Sequence, residues 1–261
     1  MSDDAGRRPR QPGRSTSAAI AEYERFFVDA LREAIDRIPR PLTALNVACG
    51  SGDATLELYP HLPPGTRLIA VDDQRDAINR FHKTLKSAGR APIYIRKENL
   101  ERLPFGDSAF DLVWTSLATY RFPSKRLMLR QMLRVLRSPG QLVVATPTRE
   151  TVVEMTRIFA PWLADDSEPR AMINDTTLAS ADEWQSEMSR TGAQDVRLTN
   201  TVHPIRIHTP LENHPVFMRH LLPMWLSDDH PEREAILRKL NRALDAQFEL
   251  PLHVAVVSGH K

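Results

Sequence analysis

The chain has 261 residues, 41% of them hydrophobic and 26% charged, with a formal net charge of +2. It is long enough to bury a substantial core and too apolar to be disordered, and its charge is too small to argue for nucleic acid. One cysteine, Cys49, excludes an internal disulfide framework. No apolar run approaches the roughly 20 residues that cross a bilayer, and no apolar signal-peptide core stands near the start. The expectation is a cytoplasmic protein with no membrane span.

In chain order, residues 1–14 carry the basic run "GRRPRQPGR" and read as a disordered, solvated tail rather than a nucleic-acid arm. Residues 15–40 read as a cap helix. Ala19, Tyr23, Phe26 and Ala30, with Phe27, Leu31, Ala34 and Ile38, recur at helical spacing until Pro39 stops them. Strand-like runs follow at "TALNVA", "RLIAVD", "PIYIRK", "FDLVWTS" and "QLVVATP", with helical patterns at 53–62, 74–88 and 123–137 between most of them. Strands alternating with helices, several with apolar residues side by side, imply a parallel sheet buried on both faces. On the 123–137 helix, Arg126, Arg130, Arg134 and Arg137 read as a solvated face, with Leu127, Leu133 and Leu136 turned inward.

After Pro147 the pattern changes. Residues 149–164 read as helical and "DDSEPRAMINDTT" as irregular. Ser180 and Glu183 form a capping box for a helix over 180–191 that Gly192 ends. "QDVRLTNTVHPIRI" and "LPLHVAVVSGH" are strand-like. The segment 205–249 between them reads as a helical insertion, so the core is expected to comprise 41–204 and 250–261.

The first strand-like run opens into "ACGSGDATLEL", where Gly50 and Gly52 let the backbone pass close to a ligand. Asp72 stands twenty residues beyond Gly52, at the end of the second run, placed to accept from the ribose hydroxyls of an adenosine-containing ligand. Asp73 is the alternate, and only one of two adjacent strand residues should reach the site. A dinucleotide pattern fails, because Thr55 occupies its third glycine position.

"LNVACGSGDATLEL", "VD", "NLERLPFGDSAFDLVWTSLATYRF" and "MLRVLRSPGQLVVATP" resemble, in order and spacing, class I S-adenosylmethionine-dependent methyltransferases. They look most like the small-molecule branch that includes the quinone-biosynthesis C-methyltransferases. The resemblance covers 43–147 well and 180–260 in outline. It implies a doubly wound, mostly parallel seven-stranded α/β sheet with an antiparallel last strand, and S-adenosyl-L-methionine as cofactor. Carried over, Gly50 and Gly52 flank the methionine part, within the loop that also holds Asn46, Ala48 and Ser51. Asp72 holds the ribose, Asn99 meets the adenine amino group, Leu100 packs near the ring, and Ser116 opens towards the methyl group. Asn46 and Asn99 stand where the family usually has Asp. Ala48 replaces the first glycine, which a methyl group tolerates at negative φ.

Five histidines, His203, His208, His214, His220 and His230, fall in the last strand-like region and the insertion. His208 or His214 is the first candidate for a general base, needed only if the acceptor must lose a proton. Tyr120 follows the strand end that should face the methyl group. Trp114, Trp162 and Trp225 are further candidates for an apolar pocket, with core packing as the plainer role. The histidine spacing matches no metal-ligand signature, so no metal is expected. "PVFMRHLLPMWL" reads as a lid over an apolar acceptor or as a contact in a homodimer. The expected activity is methyl transfer to an oxygen, carbon or nitrogen atom of an apolar small molecule, natural-product or quinone-like. The rivals are a methyltransferase fold without methylation and an NAD(P)-dependent oxidoreductase.

Overall fold

The computed structural model describes residues 25–35, 42–89, 92–116, 119, 122, 124–162, 178–214, 216–226 and 230–261, without the side chain of Arg219. Seven strands form one sheet: β1 (Thr43–Val47), β2 (Arg67–Asp72), β3 (Ile93–Lys97), β4 (Phe110–Ser116), β5 (Leu136–Pro147), β6 (Gln194–His208) and β7 (Gln247–His260). Their order is β3-β2-β1-β4-β5-β7-β6. Every pairing is parallel except those of β7 with β5 and with β6. The doubly wound sheet with an antiparallel last strand is therefore present.

The helices are α1 (25–34), α2 (Asp53–Leu58), α3 (Arg75–Ala88), α4 (Lys125–Val135), α5 (Arg149–Phe159), α6 (Ala181–Arg190), α7 (Leu222–Trp225) and α8 (Arg233–Ala243). A π-helical turn at Phe217–Leu221 leads into α7. Most of the expected cap helix, Ala19, Tyr23, Ile38 and Pro39 included, lies outside the described residues.

Both sheet faces are covered, which is why all seven residues of β4 are buried. On one face α1, α3, α5, α7 and α8 share a core with Phe27, Leu31, Phe81, Trp114, Met155 and Phe159. On the other, α4 and α6 pack Leu129, Met132, Trp184 and Met188 over Leu45, Val113 and Val144. The inward face of α4 is Met128, Leu129, Met132 and Val135. Leu127, expected inside, is 37% exposed; it lies one position off that face, on the arginine side. The α6 capping box forms as expected, with Ser180 Oγ accepting from Glu183 N and Ser180 N donating to the Glu183 carboxylate.

β5 pairs with β7 only as far as Pro147 opposite Val254. Beyond that point β6 and β7 continue together to His208 opposite Gln247. A two-stranded arm thus projects past the carboxyl end of β5, and the segment it carries runs 209–246 rather than 205–249. One face of the arm buries Ile205, Ile207, Leu250 and Leu252, while Val202, Arg206 and His208 on the other are exposed. β6 is an edge strand. His253 bonds away from β6, to Thr148 N and Thr151 Oγ1, so in the Pro204–Pro251 pair the Pro204 nitrogen faces the open edge. A proline there removes the donor that a second copy would need.

The "PVFMRHLLPMWL" segment does not face outward. Val216, Phe217, Leu221, Leu222, Trp225 and Leu226 are each at most 2% exposed. Phe159 of α5 is the hub, with ring centroids 6.0 Å from Phe217, 4.9 Å from Trp225 and 6.0 Å from Phe248. Trp225 Nε1 also donates to Thr156 Oγ1 at 3.0 Å. These side chains hold 209–246 onto the body and offer no apolar surface to a dimer partner. We expect Phe159→Ala to cost about 3–5 kcal/mol in urea unfolding, the range for emptying a buried aromatic site. A loss under about 1 kcal/mol would show that the segment does not depend on this contact.

Candidate functional site

The sheet order reverses between β1 and β4, and the crevice at their carboxyl ends is where open α/β sheets take ligands. The loop after β1 is built tightly there. Cys49 N donates to Val71 O at 3.0 Å, Gly52 N to Cys49 O at 3.1 Å, and Gly50 N to the Asp72 carboxylate at 2.9 Å. Gly50 and Gly52 have φ of 57° and 84°. A Cβ on Gly52 would lie 2.1 Å from the Phe81 ring, so α3 closes the loop from below. A Cβ on Gly50 would meet nothing within 4 Å, which leaves that side of the loop open. Ser51 Oγ donates to Asp53 Oδ2 at 2.7 Å and is used within the loop.

Ala48 departs from expectation. Its φ is 59°, in the left-handed region rather than at negative φ, so its methyl group is strained against the backbone.

Asn46 is 2% exposed, and its Nδ2 donates to Thr55 Oγ1 at 2.7 Å. Its Oδ1 is buried without a hydrogen-bond partner, an acceptor beneath the loop with nothing to accept from. Asp72 is fully buried, with Oδ2 on Gly50 N and Oδ1 on Gln74 N, both at 2.9 Å. Asp73 is exposed and borders a cavity of about 520 Å³ with Lys97, Glu98, Asn99, Leu100, Glu101 and Phe122. Of the two carboxylates, Asp72 shapes the loop and Asp73 faces the open space.

Asn99 accepts from Glu101 N at 2.9 Å and Arg102 N at 3.1 Å through the same oxygen. Its two lone pairs are thus committed, and the opposite amide orientation would set NH2 against two donors. The acceptor expected for an adenine amino group is engaged inside its own turn. Leu100 is 6% exposed and plugs the wall beside it. Ser116 ends β4 at 7% exposure. Nearby, the Thr119 and Thr146 hydroxyls share a short hydrogen bond, and the Thr148 hydroxyl is buried without a partner.

The histidines separate. His214 Nδ1 accepts from Phe217 N at 3.1 Å and its Nε2 meets Arg206 O at 2.9 Å. Accepting at Nδ1 puts the proton on Nε2, which leaves no lone pair to act as the expected base. His214 locks the turn into 209–246. His208 is exposed on the arm, its ring 6.2 Å from that of His214. His203 stacks on Phe26 at 4.4 Å. Trp114 and Trp225 are core, Trp162 is 45% exposed, and Tyr120 lies outside the described residues. Among the described residues no group of His, Cys, Asp and Glu gathers to hold a metal.

The arginine stripe also divides. Arg126 and Arg130 are exposed as expected. Arg134 and Arg137 instead bind loop and strand carbonyls: Arg134 those of Leu103 and Phe105, and Arg137 that of Ala109. Helical spacing does not distinguish an arginine that reaches solvent from one that reaches a neighbouring turn.

A doubly wound sheet with a glycine loop after its first strand, an acidic pair ending its second and a cavity beyond its third defines a Rossmann-like fold of the methyltransferase type. The chain belongs to the ubiE/COQ5 methyltransferase family, whose model matches residues 25–166. It is 25% identical over 116 residues to the demethylmenaquinone methyltransferase of Anoxybacillus flavithermus, covering 44% of this chain and 49% of that protein. The chain spans about half the length of the curated relatives it matches. Among solved structures it is similar to the YcgJ protein of Bacillus subtilis, with a TM-score of 0.62 and 16% identity over 91% of this chain and 98% of that one. It is also similar to the (4+2)-cyclase SpnF, with a TM-score of 0.58 and 14% identity over 91% and 81%. At these identities the structural likenesses speak for the fold.

Two outcomes follow from the loop and the histidine lock. Ala48→Gly should raise stability by about 0.5–1 kcal/mol in urea unfolding, because relief of left-handed strain exceeds the added chain entropy; a loss would deny the strain. Burial, with His208 nearby, holds His214 below the ordinary 6.5, against the opposing bond to Arg206 O. The unfolded chain therefore binds the proton more readily. The contribution of His214 is intact above pH 6.5 and is lost as pH falls from there through its folded value. His214→Asn, which keeps an acceptor for Phe217 N, should flatten the fall in unfolding free energy between pH 7.5 and 5; an unchanged slope would sink the assignment.

Proposed function

We propose that this protein transfers a methyl group from S-adenosylmethionine to an oxygen, carbon or nitrogen atom of an apolar small molecule, natural-product or quinone-like. The observation that carries the reading is the glycine loop braced by Asp72 beside the cavity bordered by Asp73, Asn99 and Leu100, in a chain of the ubiE/COQ5 family. The quinone-like acceptor is suggested by relatives named demethylmenaquinone methyltransferase.

The residues present suit the cofactor. Bound, it would supply a methyl group already activated on a sulfonium, leaving the protein mainly to bind and orient. The open side of Gly50 admits a close ligand, and the unmatched Asn46 Oδ1 is an acceptor for a ligand N–H. Asp73 on the cavity, with Asp72 behind it, serves the ribose, and Leu100 serves the adenine face. Ser116 stands on the acceptor side. With His214 locked, His208 is the remaining candidate base, alongside Tyr120.

The single cysteine is consistent with a reducing, cytoplasmic setting, and the net charge of +2 favours a small-molecule partner over nucleic acid. A methyltransferase fold without methylation rests on the neutral Asn46 and Asn99. An NAD(P)-dependent oxidoreductase is disfavoured by Thr55, which is 1% exposed and bonded to Asn46 where that pattern needs glycine.

Calorimetric titration with S-adenosylhomocysteine tests the reading. Wild type should bind at micromolar Kd, about −8 kcal/mol. Asp72→Asn, which sets an NH2 against a loop N–H, should bind at least about tenfold more weakly, and NADH should not bind. A wild type that fails to bind leaves the fold without methylation as the standing account.

A further inference from the structure

Arg134, in the last turn of α4, commits all four of its terminal N–H groups. Nη1 donates to Phe105 O at 2.7 Å and to Asp107 Oδ1 at 2.8 Å. Nη2 donates to Leu103 O at 2.9 Å and to Gln131 Oε1 at 3.0 Å. The Arg134 backbone carbonyl in turn accepts from Ser108 N at 3.1 Å and from Lys261 Nζ at 3.2 Å. One residue thus holds both ends of the 103–108 turn, in which Ser108 adopts a φ of 56° that non-glycine residues seldom take. Asp107 is 76% exposed, so its ion pair adds little; the two carbonyl bonds matter more.

That turn continues the wall of the cavity. Asn99 folds back onto Glu101 N and Arg102 N, and Leu100 and Leu103, 6% and 3% exposed, plug the segment into the core beneath α4. The position of Asn99 and Leu100 against the open space therefore depends on where Leu103 and Phe105 are held. We infer that Arg134 is a positioning residue for the adenine end of the cofactor site, fixing this wall through a planar fork across two carbonyls. The inference rests on the cofactor reading above. A lysine ammonium keeps the charge but cannot span both oxygens in the guanidinium geometry. Arg137 is the internal control: it donates to Ala109 O at 2.8 Å and pairs with Asp111 at 3.2 Å, bracing the start of β4 rather than the wall.

The test uses the full chain and three variants, Arg134→Lys, Arg134→Ala and Arg137→Ala. Calorimetry with S-adenosylhomocysteine and with adenosine is paired with amide hydrogen exchange and thermal unfolding. Both Arg134 variants should bind the two ligands about tenfold more weakly, by the same factor for each, since the loss sits at the shared adenosine end. Exchange across 99–107 should quicken. Arg137→Ala should lower Tm and keep wild-type Kd. Wild-type affinity in Arg134→Lys would overturn the fork, and equal weakening in Arg137→Ala would reduce the effect to general stability. A wild type that binds neither ligand removes the cofactor reading and this inference with it, an outcome distinct from both.

Discussion

The site depends on one buried carboxylate. Asp72 ends β2 at zero exposure and accepts from Gly50 N on one side and Gln74 N on the other. A carboxylate is costly to bury unless such donors surround it, and backbone N–H groups are donors that side-chain motion cannot withdraw. The bond therefore works in both directions: the loop solvates the charge, and the charge sets the loop. With Cys49 N on Val71 O and the Phe81 ring beneath Gly52, the loop after β1 is fastened to β2 and α3. Its one open side faces the switch point.

Topology has a second consequence, at the far end of the sheet. Because β7 runs antiparallel and outlasts β5, the β6–β7 pair projects beyond the sheet at the carboxyl end of its parallel strands, the end that also carries the glycine loop. Phe217 and Trp225 of 209–246 attach that segment to α5. A run that reads in sequence as a lid or a dimer face instead extends the core of one sheet face, packing around Phe159.

The fold was legible in the sequence because its signals are local. The Ser180–Glu183 box, the glycines at 50 and 52, and the side-by-side apolar residues of β1 (Ala44, Leu45) and β4 (Leu112, Val113, Trp114) each follow from a few adjacent residues. Much of the site was not, because its assignments depend on contacts across long separations. His214 is a general-base candidate by type, yet its ring is committed to Phe217 N and Arg206 O. Arg134 belongs to a solvent-facing stripe by spacing, yet it meets carbonyls 29 and 31 residues away. Ala48 shows no sequence mark of its positive φ, at the point where the next residue, Cys49, bonds to Val71 O of β2.

The two asparagines illustrate a trade between burial and ligand recognition. Asn46 sits at 2% exposure with a single hydroxyl, that of Thr55, for company. A carboxylate there would carry a buried charge with one donor to offset it, and burial would favour its protonated form. The amide avoids that cost, leaving only one neutral acceptor unmatched. The same neutrality weakens the attraction to a cationic ligand, since a bond to a charged acceptor is roughly twice as strong as one between neutral groups. At Asn99 the balance differs, because the position is exposed and its oxygen already caps the turn through Glu101 N and Arg102 N. A carboxylate could cap that turn with one oxygen and keep the second for a ligand donor; the amide presents an N–H2 instead. On the proposed cofactor reading, recognition of the adenine end falls to the shape of the wall and to its backbone, which is where Leu100 and the turn held by Arg134 enter that proposal.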